Sequence, residues 1–197
     1  MATFETSYHI TEMMEGGYSN HPHDNGKETY AGISRVAFPN WEGWKFIDKQ
    51  VKPIKRNTFF SALAMPVRHF YRANFWVPLQ CGLMPQVVAN QLFDYAVNSG
   101  KSRAVKSLQS VLNSMGAFLK VDGIVGAKTQ GALKRFDANE VAAKLLLERE
   151  RFINQLAQSQ PQFKRGWLNR IAFLKTHLGT VGISFGVVAL LGLTLFF

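Results

Sequence analysis

The chain has 197 residues, 47% of them hydrophobic and 18% charged, which excludes a disordered polymer and suits one domain or a domain with an appendage. Lys and Arg number 23 against 13 Asp and Glu, a formal charge of +10, so polyanions are the expected partners: nucleic acid, anionic lipid or an acidic wall polymer. The one cysteine, Cys81, excludes an internal disulfide and sits in no Cys/His metal spacing.

The start, "MATFETSYHI", has neither the basic opening nor the apolar run of a secretory signal. Phe4, Tyr8 and Thr11 recur at helical spacing, and Thr3 can cap the start. This helix is expected to reach about Glu15 and to stop at Gly16 and Gly17. Residues 18–32 are rich in turn formers, above all "SNHPHDNG". "FPNWEGW" is a second irregular segment, and the pattern turns helical again from about Thr58, with Pro66 expected to kink or restart that helix.

Residues 85–98 place Val88, Leu92 and Tyr95 on one face of a helix closed by "SG". Ser102 is the expected cap of the next helix, lined by Ala104, Leu108, Val111 and Met115. "VDGIVGAKTQGAL" reads as tight turns leading into a helix from about Ala127. It serves either as a glycan-binding surface or as a turn with a packed helix. Asp137 and Glu140 signal the start of a long helix over roughly 138–158 that ends near Pro161. Phe163, Trp167, Ile171 and Leu174 then follow at steps of three or four, with Lys164, Arg165, Arg170 and Lys175 opposite. That basic amphipathic segment either packs on the body or lies on a membrane surface. Alternating strand patterns are nearly absent, so the expected fold class is mainly α.

The tail "LGTVGISFGVVALLGLTLFF", residues 178–197, carries no charge. About 20 apolar residues suffice to cross a bilayer, so a C-terminal transmembrane helix is expected, with Gly182 and Gly186 as a small-residue packing pair. The basic residues ahead of it favour a cytoplasmic flank, which predicts a tail anchor in the bacterial inner membrane.

The stretch "EGGYSNHPHDNGKETYAGI" raises the chemical question. Glu15, at a helix end, meets partial negative charge from unpaired carbonyls, which favours its protonated form and the role of general acid. Asp24, in a loop of hydrogen-bond donors, is expected to stay ionised. Carboxylates in contrasting environments are what glycoside cleavage uses, and the Thr29 hydroxyl can place a water. Tyr18 and Tyr30, beside this loop, and Asn98 are candidates for substrate contact. Trp41, Trp44, Phe75 and Trp76 suit either the core or sugar stacking, with the core favoured. His21, His23 and Asp24 in "HPHD" match no zinc spacing, so neither a metal nor a cofactor is expected. Zinc-finger spacing, a recognition-helix motif and an RNA-binding aromatic signature are all missing, so nucleic acid is not an expected partner despite the charge.

Glu15, eight residues, Asp24, and Thr29 five further on resemble the Glu/Asp/Thr arrangement of phage lysozymes, with a shorter Asp-to-Thr gap. The longer string "EGGYSNHPHDNGKETYAGIS" resembles the opening of the glycoside hydrolase family 108 muramidases, and the likeness continues through "HFYRANFW" and "LFDYAVNSG". "AVKSLQSVLN" and "VDGIVGAKTQGAL" resemble that family's peptidoglycan-binding module, and "RFINQLAQSQPQFKRGWLNR" its closing helices. The family often has an acidic residue where His21 stands and Gly where Lys27 stands.

The resemblance implies a lysozyme-like helical domain that cleaves the β-1,4 bond between N-acetylmuramic acid and N-acetylglucosamine. Glu15 would be the acid, supported by Asp24 and Thr29. The expected organisation is a muramidase region at 1–93, a peptidoglycan-binding module with closing helices at 94–175 and a membrane anchor at 178–197. The expected partners are bacterial peptidoglycan, the membrane, and a holin whose pore would admit the anchored enzyme to the periplasmic wall for host lysis. A non-catalytic, membrane-anchored peptidoglycan-binding or secretion accessory is the alternative from another class.

Overall fold

The computed structural model describes residues 1–20 and 27–179, which divide into two compact units between Lys101 and Ser102. The described residues are mainly helical.

The first unit opens with helix α1, Phe4–Glu12, whose Thr3 side chain accepts from the Thr6 N–H. The helix ends three residues before Glu15, and two backbone turns carry the chain onward: Met14 N–H to Thr11 O and Glu15 N–H to Glu12 O. Three short strands follow, β1 (Tyr18–Asn20), β2 (Glu28–Tyr30) and β3 (Ile33–Ser34), paired antiparallel in the order β1-β2-β3. The turn-rich composition of 18–32 hid this sheet, because strands of two or three residues are too short to display an alternation.

Ala31 (φ 47°) and Gly32 (φ 75°) connect β2 to β3 with both residues left-handed. That conformation matches the right-handed twist of a two-residue hairpin. Helices α2 (Gly43–Ile47), α3 (Ala64–Tyr71) and α4 (Gln86–Ser99) complete the unit. Pro66 falls in the first turn of α3, where its missing N–H breaks no bond, so the helix continues through it. The chain then winds wider over Arg72–Trp76, with the Val77 N–H reaching Arg72 O.

Helix α4 is the core element: Val88, Ala89, Leu92, Phe93, Tyr95 and Ala96 have no exposed surface. Each large apolar side chain buried in this way stabilises by about 1.5–3 kcal/mol. Helix α1 packs against α4, and Phe4, Trp76 and Phe93 meet edge to face at 5.8–5.9 Å. The Ser7 hydroxyl donates to Asn90 Oδ1 at 2.7 Å, which satisfies two buried polar groups between these helices. Trp41, Trp44 and Trp76 are buried, so these aromatics belong to the core.

The second unit holds α5 (Lys101–Ser114), α6 (Ala127–Leu133), α7 (Ala138–Ser159) and α8 (Lys164–Gly179). Helix α5 begins at Lys101, so Ser102 lies inside it rather than capping it. Asp137 caps α7 as its position suggested, accepting from the N–H groups of Asn139 (3.0 Å) and Glu140 (2.9 Å).

Helix α8 corrects the reading of the C-terminal region. It packs on α7, burying Ile171 and Leu174, and Lys175 Nζ donates to Glu150 Oε1 at 2.8 Å. The amphipathic face is spent on the protein body. Among the described residues no helix is long and apolar enough to cross a membrane, which overturns the expected transmembrane helix and inner-membrane anchor. The last described helix carries Lys164, Arg165, Arg170 and Lys175 along its length, and such charges are costly in a bilayer core. The proposed link to a holin rested on that anchor and goes with it. Residues 180–197, on which most of the apolar tail falls, lie outside the described residues.

Candidate active site

Glu15 lies half-buried where the turns after α1 deliver it. Gly17 then passes flat against another strand of backbone: a Cβ there would stand 2.8 Å from the Asn57 carbonyl. Tyr18 N–H donates to Thr58 O (2.9 Å) and Asn57 N–H to Tyr18 O (2.7 Å), so residues 57–58 pair with the start of β1. The two glycines after Glu15 thus serve a close approach of two chain segments rather than the expected helix stop, since α1 ends at Glu12.

The hairpin tip closes the other side. Gly32 packs directly on the Glu15 carboxyl, and a Cβ at Gly32 would collide with Glu15 Oε2 and stand 2.7 Å from the Tyr71 hydroxyl oxygen. That hydroxyl donates to Ala31 O at 2.7 Å, tying α3 to the hairpin. The Tyr30 hydroxyl accepts from Phe60 N–H at 2.8 Å and donates to Phe60 O at 3.3 Å, fixing the segment that follows residue 58.

Around Glu15 these elements leave a cleft of about 620 Å³, with Tyr8, Glu12, Tyr30, Phe59, Phe60, Arg68 and Tyr71 on its walls. The volume is in the range of small-molecule and substrate sites. Aromatic and aliphatic side chains make up most of the walls, and Glu12, Glu15 and Arg68 are the charges among the described wall residues. Phe59 is 67% exposed at the edge, an apolar face available to a sugar ring. Arg68 lies over the Tyr8 ring at 5.3 Å. Burial, followed by the charge of Glu12, pushes the Tyr8 hydroxyl well above the ordinary tyrosine value, so it stays a neutral donor.

Of the sequence-derived candidates, the structure brings Glu15 and Tyr30 together in this cleft. Tyr18 is the cross-strand partner of Tyr30 but lines a separate groove of about 320 Å³ with Lys52 and Arg56. Its hydroxyl donates to Glu28 Oε1 at 2.9 Å. Thr29 is half-buried in β2 and pairs with Ser19 and Ser34, on the sheet face opposite to Tyr18 and Tyr30. Asn98 lies half-buried near the end of α4, where its Oδ1 accepts from the Ser99 hydroxyl at 3.2 Å. Thr29, Tyr18 and Asn98 are not among the described residues of the cleft wall. Asp24, with His21 and His23, lies outside the described residues.

Sequence reasoning missed Gly32, Tyr71, Phe59 and Arg68. The signal for Gly32 was present as "TYAGI", two small residues between short β-formers, which is a tight-hairpin pattern. Tyr71 and Arg68 come from α3, about 55 residues away in the chain, and no local pattern links them to Glu15. Among the described residues no three His, Cys, Asp or Glu side chains gather as metal ligands.

Residues 8–100 match the family described as Glycosyl hydrolase 108, and residues 103–172 match one described as Predicted Peptidoglycan domain. The chain is similar to a solved structure titled "Structure of Brucella abortus SagA", with 27% identity, a TM-score of 0.70, and coverage of 90% of this chain and 94% of that one. No curated protein matches it. With an acid-bearing cleft in a first unit that matches glycosyl hydrolase 108 and a peptidoglycan domain matched across the second, the chain is a peptidoglycan hydrolase of the glycosidase class.

Proposed function

We propose that the enzyme is an N-acetylmuramidase in which Glu15 is the general acid. It cleaves the β-1,4 bond that joins the anomeric carbon of N-acetylmuramic acid to the 4-oxygen of N-acetylglucosamine. The observation that carries this reading is the position of Glu15: half-buried, pressed by Gly32, in a cleft with aromatic walls. As the glycosidic bond breaks, Glu15 gives its proton to the leaving oxygen. Water supplies a hydroxyl to the anomeric carbon and releases a proton in turn. The Asp24 carboxylate balances the positive charge that develops on the muramic ring or places that water. Tyr30 and Phe59 support the sugar chain, and Tyr18 and Asn98 act on more distant parts of the substrate. The second unit holds the polymer.

Mass analysis of purified peptidoglycan after digestion tests the bond assignment. New reducing ends on muramic acid are expected with the native enzyme and none with Glu15→Gln. Reducing ends on glucosamine, or unbroken glycan with cut peptides, would overturn it.

A further inference from the structure

In the second unit, the loop between α5 and α6 carries three apolar side chains in solvent: Phe118 is 95% exposed, Ile124 66% and Val121 42%. Phe118 also has φ 56°, a left-handed conformation that a bulky aromatic residue rarely adopts. The fold gains little from this side chain in either respect. Asparagine or glycine would suit the backbone better, and a polar residue would suit the solvent better.

The loop is nonetheless firmly held. Asn113 clamps residue 119 from both sides: Leu119 N–H donates to Asn113 Oδ1 at 2.5 Å, and Asn113 Nδ2 donates to Leu119 O at 2.8 Å. One helical turn earlier, the buried Gln109 does the same at the far end of the loop. Its amide donates to Asp122 Oδ1 (2.8 Å) and Ile124 O (3.1 Å), and its Oε1 accepts from Gly123 N–H (2.9 Å). Residues four apart on a helix lie about 5–6 Å from each other, so both clamps fasten the loop along one edge of α5. Phe118 flanks one clamp and Ile124 the other. Two exposed apolar groups thereby stand on one preordered loop, which is the economy of a binding surface: the ordering cost falls on folding rather than on binding. Lys120 and Asp122 in the loop and Lys128 just after it are also exposed.

We infer that the Phe118–Ile124 loop is the face with which the second unit grips peptidoglycan. Phe118 stacks on the apolar face of a sugar ring, Ile124 extends that contact, and the lysines meet carboxylates of the peptide stems. This rests on the reading of the protein as a peptidoglycan hydrolase and adds where the polymer is held, distant from Glu15 in sequence. Lys120 is offset by Asp122 within the loop, so the net +10 of the chain and the match of this unit to a peptidoglycan domain are what favour a polyanionic wall polymer over a second copy of this equally basic chain.

The test uses full-length Glu15→Gln protein, which binds without cutting, sedimented with purified insoluble peptidoglycan. Adding Phe118→Asn and Ile124→Ser is expected to weaken binding at least 10-fold, while the melting temperature stays the same or rises. Unchanged binding overturns the inference. So does unchanged wall binding with loss of self-association in sedimentation velocity, which would make a second copy the occupant. The same pair of substitutions in the otherwise native enzyme should leave cleavage of short soluble glycan fragments unaltered, and a fall there would also count against it. Release of reducing ends by Glu15→Gln would sink the catalytic assignment instead, so the two readings fail separately.

Discussion

The carboxyl of Glu15 occupies the space where a side chain at Gly32 would stand. Gly32 stands at the tip of the β2–β3 hairpin, which needs two left-handed residues and offers its smallest one to the acid.

Gly32→Ala should therefore act on catalysis through position. The added methyl meets Glu15 and the Tyr71 hydroxyl, and φ 75° strains any residue with a Cβ. A displacement of about 1 Å costs on the order of 100-fold in rate. The backbone strain costs about 1–3 kcal/mol of stability. Turnover and thermal unfolding of the variant measure both, and native turnover would show that Glu15 need not sit where Gly32 puts it.

Glu15→Gln keeps the shape and removes the proton. The rate of glycan cleavage should fall by about 100- to 10,000-fold, the range ascribed to general acid catalysis, with an unchanged melting temperature. Retained lysis would dismiss Glu15 as the acid.

Arg35 is the electrostatic hub behind the hairpin. It donates to Glu28, donates to Asp48 Oδ1 at 2.6 Å, and lies 4.4 Å from the Trp44 ring centre. The bond from Arg35 holds the Asp48 carboxyl below its ordinary range. Because that value is lowered in the folded state, the stabilisation is present above the ordinary carboxylate range and is lost as pH falls through the lower folded value. Arg35→Met should cost about 1–3 kcal/mol near neutral pH, as expected for hydrogen bonds to charged groups. It should also flatten the loss of stability on the acid side. Urea unfolding at pH 6 and pH 3 for both proteins decides the matter, and parallel losses would remove Arg35 from that role.

Cys81 is fully buried, and burial pushes its thiol up to about 12. The fold favours the neutral form, so this contribution is intact below the ordinary thiol value of 9.0 and declines as pH rises toward about 12. Iodoacetamide at pH 8 should leave the folded protein unmodified and label the urea-unfolded chain once. Labelling of the folded protein would contradict the burial. Cys81→Ala should show a smaller loss of stability between pH 8 and pH 10.5 than the native chain.

The unfamiliar parts of the site follow one logic. Glu15 and its double glycine stood out because an acid beside turn-forming residues is a local feature, readable from a few neighbours, although the helix before them ends at Glu12, earlier than the glycines suggested. The D-x-x-E start of α7 and the apolar faces of α4 and α5 were legible for the same reason: capping and helical periodicity act within a turn or two of chain. The strands beside Glu15 were not legible, since elements this short are stabilised by partners rather than by their own pattern.

Basic charge, a mainly helical body and the family likeness were thus determined by the sequence alone. Only the tertiary structure decided that Tyr30 shares the cleft with Glu15 while Tyr18 faces another groove, because neighbouring surfaces at a sheet edge depend on what packs there. It also decided that α8 spends its apolar face on α7, since the same amphipathic pattern serves a protein core or a membrane surface and only the packing partner distinguishes them.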